Sequence, residues 1–270
     1  MKQPIRFIVL ASVAVLSMLA CQVVSIAPAG GGTVRGSGTV VEETRAVSGF
    51  TGVELATIGT LHIQTGNSES LRIEAEDNLM QYLLTEVRGG RLSIANRGEG
   101  VNLQSTRPIH YYLTVTALDT IVISSSGDVE APDLQAGRFS ATIHSSGNLE
   151  MGDLQAGTLT VNITSSGNVT MGTLNADTLE VDISSSGNLK IAGGEVGRQT
   201  ITISSSGEYT AQDLQSTEAD VRLSSSGSAT IRVRDRLRAN LSSSGEVRYA
   251  GSPTVDVTAT SSGNVVPIGE

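Results

Sequence analysis

The stretch Thr178-Leu179-Glu180-Val181-Asp182-Ile183-Ser184-Ser185-Ser186-Gly187-Asn188-Leu189-Lys190-Ile191 sets apolar residues at alternate positions on both sides of a Ser-Ser-Ser-Gly tetrapeptide. Alternation with a period of two marks a strand with one buried face. The tetrapeptide or a close variant ends at Gly127, Gly147, Gly167, Gly187, Gly207, Gly227, Gly245 and Gly263, a step of 20 residues five times and then 18 twice. Aligned on that glycine, the apolar residues fall into columns. Six before it stand Ile121, Ala141, Val161, Val181, Ile201, Val221, Ala239 and Val257. Four before it stand Ile123, Ile143, Ile163, Ile183, Ile203, Leu223, Leu241 and Ala259, and two after it Val129, Leu149, Val169, Leu189, Tyr209, Ala229, Val247 and Val265. Two further columns hold Leu134, Leu154, Leu174 and Leu214, and Ala131, Met151, Met171, Ile191 and Ala211.

Self-similarity at this period predicts an all-β, right-handed parallel β-helix with coils of about 20 residues, each climbing about one strand spacing of 4.8 Å. Each coil holds two or three short strands, and the serine-glycine tetrapeptide is a corner. The eight corner glycines are expected to supply positive φ, and the stacked Ser hydroxyls to bond backbone or the serine of the next coil. Both serines before each glycine are the same in all eight repeats. Repetition of this kind marks architecture, since a catalytic serine stands alone.

The chain begins with Lys2 and Arg6, an apolar run from Phe7 to Leu19, and Ala20-Cys21. These are the charged, apolar and small-residue parts of a secretory signal, and the apolar run is short for a membrane span. Cys21, the sole cysteine, follows Met18-Leu19-Ala20 and resembles the lipidated cysteine of a bacterial lipoprotein lipobox, with Met18 where leucine is commoner. The organisation expected is a signal peptide over 1–20, a lipidated Cys21 and flexible tether over 21–38, and one β-helix domain over 39–270. Within that domain, 39–120 form an irregular cap and first coils and 121–270 the repeats. In the cap, Phe50, Val53, Leu55, Leu61, Ile63, Leu71, Ile73, Leu92 and Ile94 alternate with polar residues, Gly66-Asn67 and Gly89-Gly90 read as turns, and Asp77 to Leu84 as one or two helical turns.

Arg45-Ala46-Val47-Ser48-Gly49-Phe50-Thr51-Gly52-Val53, Gly59-Thr60-Leu61-His62-Ile63, Glu74-Ala75-Glu76-Asp77-Asn78-Leu79 and Gly90-Arg91-Leu92-Ser93-Ile94 resemble the opening of the putative autotransporter adhesin head GIN domain family. The resemblance runs from about Arg45 to the C-terminus. It implies a β-helical domain on a secreted or surface-attached bacterial protein, often behind a lipoprotein signal, and supplies no active site. The family's repeats often read Ser-Gly-Ser-Gly, where this chain has Ser-Ser-Ser-Gly.

Two outward clusters are candidates for chemistry. Stacking sets Glu130 beside Glu150 and Asp133 beside Asp153, four carboxylates suited to Ca²⁺ or to the acid pair of a glycoside hydrolase. Arg222, Arg232, Arg234, Arg236, Arg238 and Arg248 concentrate in the C-terminal third, and arginine forks suit the anionic groups of acidic glycans or lipopolysaccharide. Asp220, Arg238 and Asp256 share one column, so an ion-pair ladder is the structural alternative. The formal net charge of -9 argues against nucleic acid as a partner. His62, His110 and His144 lie far from metal-ligand spacing and read as surface or edge residues. With no Trp, a platform of stacked rings is not expected, though Tyr111, Tyr112, Tyr209 and Tyr249 offer local contacts. Ice binding wants matched threonines, whereas the column five before glycine reads Val122, Thr142, Asn162, Asp182, Thr202, Arg222 and Asn240.

The expectation is therefore a non-enzymatic envelope lipoprotein, anchored through Cys21, that binds surface polysaccharide or another envelope protein and uses no cofactor. A polysaccharide-degrading or calcium-binding β-helix and a purely structural spacer are the alternatives.

Overall fold

The structure, a computed structural model, describes residues 32–98, 100–260 and 262–269. The signal peptide, Cys21 and the tether as far as residue 31 lie outside the described residues. The folded chain is a β-solenoid of about 7 turns, 67% strand and 2% helix.

Three stacked faces run along it. The first precedes the serine-glycine corner, where Thr120–Ile123 pairs in parallel with Ser140 to Ile143 and with Gly52 to Leu55. Across the corner the second face begins, with Glu130 aligned on Glu150 and on His62. On the third, Leu134, Gln135 and Ala136 lie over Leu154, Gln155 and Ala156. The register keeps the isoleucine column before the corner intact: Ile123, Ile143, Ile163, Ile183 and Ile203 stack in successive strands and are fully buried. Because each inward residue rests on its equivalent one coil away, the core is a filled column, and the variable side chains stand outward.

The corner glycines act by a different means from the one expected. None of the eight has positive φ. Instead the coils approach too closely for a side chain. A Cβ on Gly207 would lie 2.5 Å from Ile183 Cγ2 and 2.6 Å from the Gly187 carbonyl oxygen. Backbone bonds fasten each corner to the one before, as in Ser204 N to Ile183 O (3.0 Å) and Ser228 N to Gly207 O (3.1 Å). Ser125 Oγ donates to Thr57 O at 2.5 Å, a bond from a corner hydroxyl to backbone. The side-chain ladder itself lies one residue beyond the corner. Asp128 Oδ1 accepts from Asn148 Nδ2 (2.8 Å), Asn148 Oδ1 from Asn168 Nδ2 (2.9 Å), and Asn168 Oδ1 from Asn188 Nδ2 (2.8 Å).

The change from 20-residue to 18-residue coils is absorbed after the second face. Ala211 aligns with Ile231 but Gln215 with Arg232, and the register shifts again between Ser216 and Glu218. Here the core holds polar groups that satisfy one another: Tyr209 OH donates to Gln199 Oε1 (3.0 Å), Gln199 Nε2 to Ser216 Oγ (2.7 Å), and Ser216 Oγ to Arg232 O (2.8 Å). Burial raises the Tyr209 phenol far above its ordinary pKa, so it remains a neutral donor.

The N-terminal end is capped by antiparallel pairing. Val40–Arg45 pairs with Ser70–Glu76, which pairs with His110–Val115, while Leu83–Arg88 folds back on Arg91–Asn96 through Gly89 and Gly90 at φ 57 and 77. The helical turn is limited to Asp77–Met80, because Leu83 onward is taken into that hairpin. The tether boundary also moves. Thr33–Arg35 is a strand on Asn102–Gln104, and Ser37 N donates to Asn78 Oδ1 at 2.9 Å, so residues 33–38 belong to the folded cap. Buried Glu76 holds this strap, accepting from Gly38 N (2.6 Å), Thr106 N (2.8 Å) and Thr106 Oγ1 (2.5 Å). Desolvation raises its pKa, but these bonds favour the carboxylate and bring it down to about 2. At the opposite end Thr254–Ala259 pairs on one side only among the described residues, leaving Val255 and Val257 exposed in what is otherwise a core column.

Candidate functional site

On the second face, the cap and the first coils bring an array of outward side chains together. Arg72 aligns with Tyr112, Tyr112 with His62, and His62 with Glu130, one residue from each of four adjacent strands. Alternation requires these positions to point outward, since Leu71, Ile73, Tyr111, Leu113, Leu61 and Ile63 beside them are buried. The Arg72 guanidinium lies 4.1 Å from the Tyr112 ring centroid, and the His62 ring stacks on Tyr112 at 5.1 Å with an 18° interplanar angle. Arg72 is held by Glu42 (3.2 Å) and by Glu74.

His62 links two partners. Its Nδ1 is 2.8 Å from Glu130 Oε2 and its Nε2 is 2.9 Å from His110 Nδ1. A carboxylate accepts, so His62 donates from Nδ1 to Glu130, and one proton lies between His62 Nε2 and His110 Nδ1. A groove of about 450 Å³ runs beside the array, with Gln64, Ser70 and Thr114 along it. Gln64 Nε2 donates to Thr114 Oγ1 at 2.9 Å. This surface offers planar and hydroxyl hydrogen-bonding groups to a polar ligand. Sequence spacing conceals it, because His62, His110 and Glu130 are 48 and 68 residues apart in their two contacts. The available signal was the register, once Gly59 to Ile63 is aligned with the repeats that begin at Gly127.

The four carboxylates do not converge. Asp133 Oδ1 accepts from Asp153 N (2.8 Å), and Asp153 Oδ1 from Thr173 N (2.6 Å), so both tie one coil to the next. Glu130 and Glu150 do align, but Glu130 is engaged by His62. Among the described residues no three His, Cys, Asp or Glu side chains are grouped to hold a metal ion.

The arginines are distributed around the coil rather than gathered. Arg222, Arg236 and Arg238 belong to the first face and Arg248 to the second, while Arg232 aligns with Gln215 on the third. Arg238 stands between Asp220 (4.0 Å) and Asp256 (3.7 Å), and Arg222 reaches Asp220 at 3.0 Å. Arg234 bonds Asp235 at 2.8 Å, holding that carboxyl below its ordinary pKa, and Arg232 Nε donates to Gln212 O at 3.0 Å. The ion-pair ladder is thus built, and it occupies cations that an anionic ligand would need. Arg236 and Arg248 make no ion pair among the described residues. His144 sits at a corner, with Nδ1 3.2 Å from Thr164 Oγ1.

A stacked β-solenoid with an antiparallel cap and polar outward faces defines the class of protein. The chain belongs to the family described as putative auto-transporter adhesin, head GIN domain, whose profile matches residues 49–253. It is similar to the crystal structure of a putative lipid binding protein from Parabacteroides distasonis, with 25% identity over 88% of this chain and 100% of that one and a TM-score of 0.82. A putative adhesin from Parabacteroides merdae is 20% identical over 87% of this chain and 99% of its own, with a TM-score of 0.80. A second putative adhesin from P. distasonis is 21% identical over 88% and 100%, with a TM-score of 0.77. Among curated proteins none matches. No helix among the described residues is long and apolar enough to cross a membrane.

Proposed function

We propose that this protein is a non-enzymatic binding module of the bacterial cell surface, an adhesin-type domain held to the envelope by lipid on Cys21. The observation that carries the reading is the contrast between the two sides of each strand. Inward, Ile143, Ile163, Ile183 and Ile203 repeat without change, while outward at the preceding position Thr142, Asn162, Asp182 and Thr202 differ from coil to coil. A spacer needs only the inward pattern. A face with its own sequence of hydroxyl, amide, carboxylate and guanidinium groups is suited to recognise a partner. The array from Arg72 to Glu130 is such a surface, where the cap meets the first repeat. Family membership and the neighbouring putative adhesins support the same class.

The test uses bacteria carrying the full chain. Cells with the wild type should adhere to glycan-coated surfaces and incorporate labelled fatty acid into the protein. Cells with Cys21→Ser should do neither, with the protein uncleaved or lost to the medium. Adherence no greater than that of cells lacking the protein would refute the binding role, and fatty-acid labelling of Cys21→Ser would refute the anchor.

A further inference from the structure

We propose that the first face carries a binding groove for neutral saccharides, centred on Gly137 and Arg138; this deepens the binding reading above. The groove has a volume of about 630 Å³, within the usual range for ligand sites of about 300–1,000 Å³. Its floor is a column of outward side chains, Thr120, Ser140, Thr160 and Glu180, which stack in register on four successive strands. The rise between them is one strand spacing, about 4.8 Å, close to the width of a pyranose ring. Three hydroxyls followed by a carboxylate therefore meet a sugar chain laid along the solenoid axis at matching intervals.

Gly137 lines the hollow without a side chain. A Cβ built there meets no atom within 4 Å, so the position opens directly into the groove. Contrast Gly157 one coil on, whose Cβ would lie 2.8 Å from the Gly137 carbonyl oxygen. Beside the opening stands Arg138, exposed, in the outward column that continues with Thr158. It makes no ion pair among the described residues. Asp119 closes one end, accepting from Thr120 Oγ1 at 2.8 Å, and exposed Glu180 closes the other.

These groups select the ligand class. Carboxylates accept from sugar hydroxyls, the guanidinium donates to ring or hydroxyl oxygens, and the threonines do either. Two carboxylates against one guanidinium leave the groove with a net negative charge. Sulfated and uronic glycans are repelled by that balance, while a neutral hexose chain satisfies every group without burying an unpaired charge.

The experiment compares neutral and acidic oligosaccharides on the purified full chain, by array and then by titration calorimetry. Neutral oligosaccharides should bind and sulfated or uronic ones should not. Gly137→Leu places an apolar side chain at a groove-lining position whose Cβ meets no atom within 4 Å, and should weaken binding by about tenfold or more, equivalent to about 1.4 kcal/mol, at an unchanged melting temperature. Arg138→Gln is the second variant and should weaken binding similarly should Gly137→Leu fold poorly. Saccharide binding that survives both variants in folded protein would overturn the groove but leave the binding-module reading standing. A preference for sulfated glycans would overturn the ligand class, and failure to bind any glycan together with absence of cell adherence would overturn both.

Discussion

At the scale of single residues, closeness between coils decides which positions tolerate no change. Gly207 illustrates this, since its missing Cβ makes room for Ile183 and for the Gly187 carbonyl of the preceding coil. Gly207→Val adds bulk against backbone that cannot move without parting two coils, and should destabilise the fold by about 1–3 kcal/mol. Thermal unfolding monitored by circular dichroism measures this, and an unchanged melting temperature would mean the corner has slack that the geometry denies. The need for glycine was legible in the repeat, but its cause was not. Periodicity reports that a small residue recurs, whereas positive φ and close approach write the same letter. Asp133 and Asp153 show a similar ambiguity. Stacked carboxylates looked like ligands, and only the bonds to Asp153 N and Thr173 N show that they fasten backbone.

Among the elements, the cap is where reading and structure differ most. The repeats impose their register on one another, so eight copies of one pattern correct any single ambiguous position. The cap has no such copies. Its strands reverse direction, and the antiparallel partners of Ser70–Glu76 come from both sides in sequence, Val40–Arg45 and His110–Val115. The strap at Thr33–Arg35 was hidden because short polar and glycine-rich sequence carries no periodic signal, and its partners lie at 102–104. Likewise the His62 array depends on which strands become neighbours. Glu76 gives the strap a testable pH dependence. Its pKa is lowered from 4.5 to about 2 in the folded protein, so the strap is fully held above the unfolded value and loosens as pH falls from about 4.5 towards 2. Amide exchange at Gly38 and Thr106 should accelerate, relative to the intrinsic rate, across that window. In Glu76→Gln one side-chain oxygen remains to accept but nothing titrates, so the same amides should show no such step. Protection in the wild type that stays level down to pH 2 would contradict the assignment.

For the whole molecule, the central claim is that each coil touches only its neighbours and that the inward columns and the ladders between adjacent coils hold the register. The most direct measurement is removal of one complete coil, Asn148 to Gly167, which joins Gly147 to Asn168. Every inward residue then meets its equivalent: Ile143 stacks on Ile183, Leu134 on Leu174, and Val129 on Val169. The outward ladders also rejoin, with Asp128 meeting Asn168 and Asp133 meeting the backbone at Thr173. The shortened protein should retain a β-sheet circular-dichroism spectrum and a single cooperative thermal transition at a modestly lower temperature. Loss of the β spectrum, or collapse of the transition into a gradual slope, would contradict the stacked-coil account.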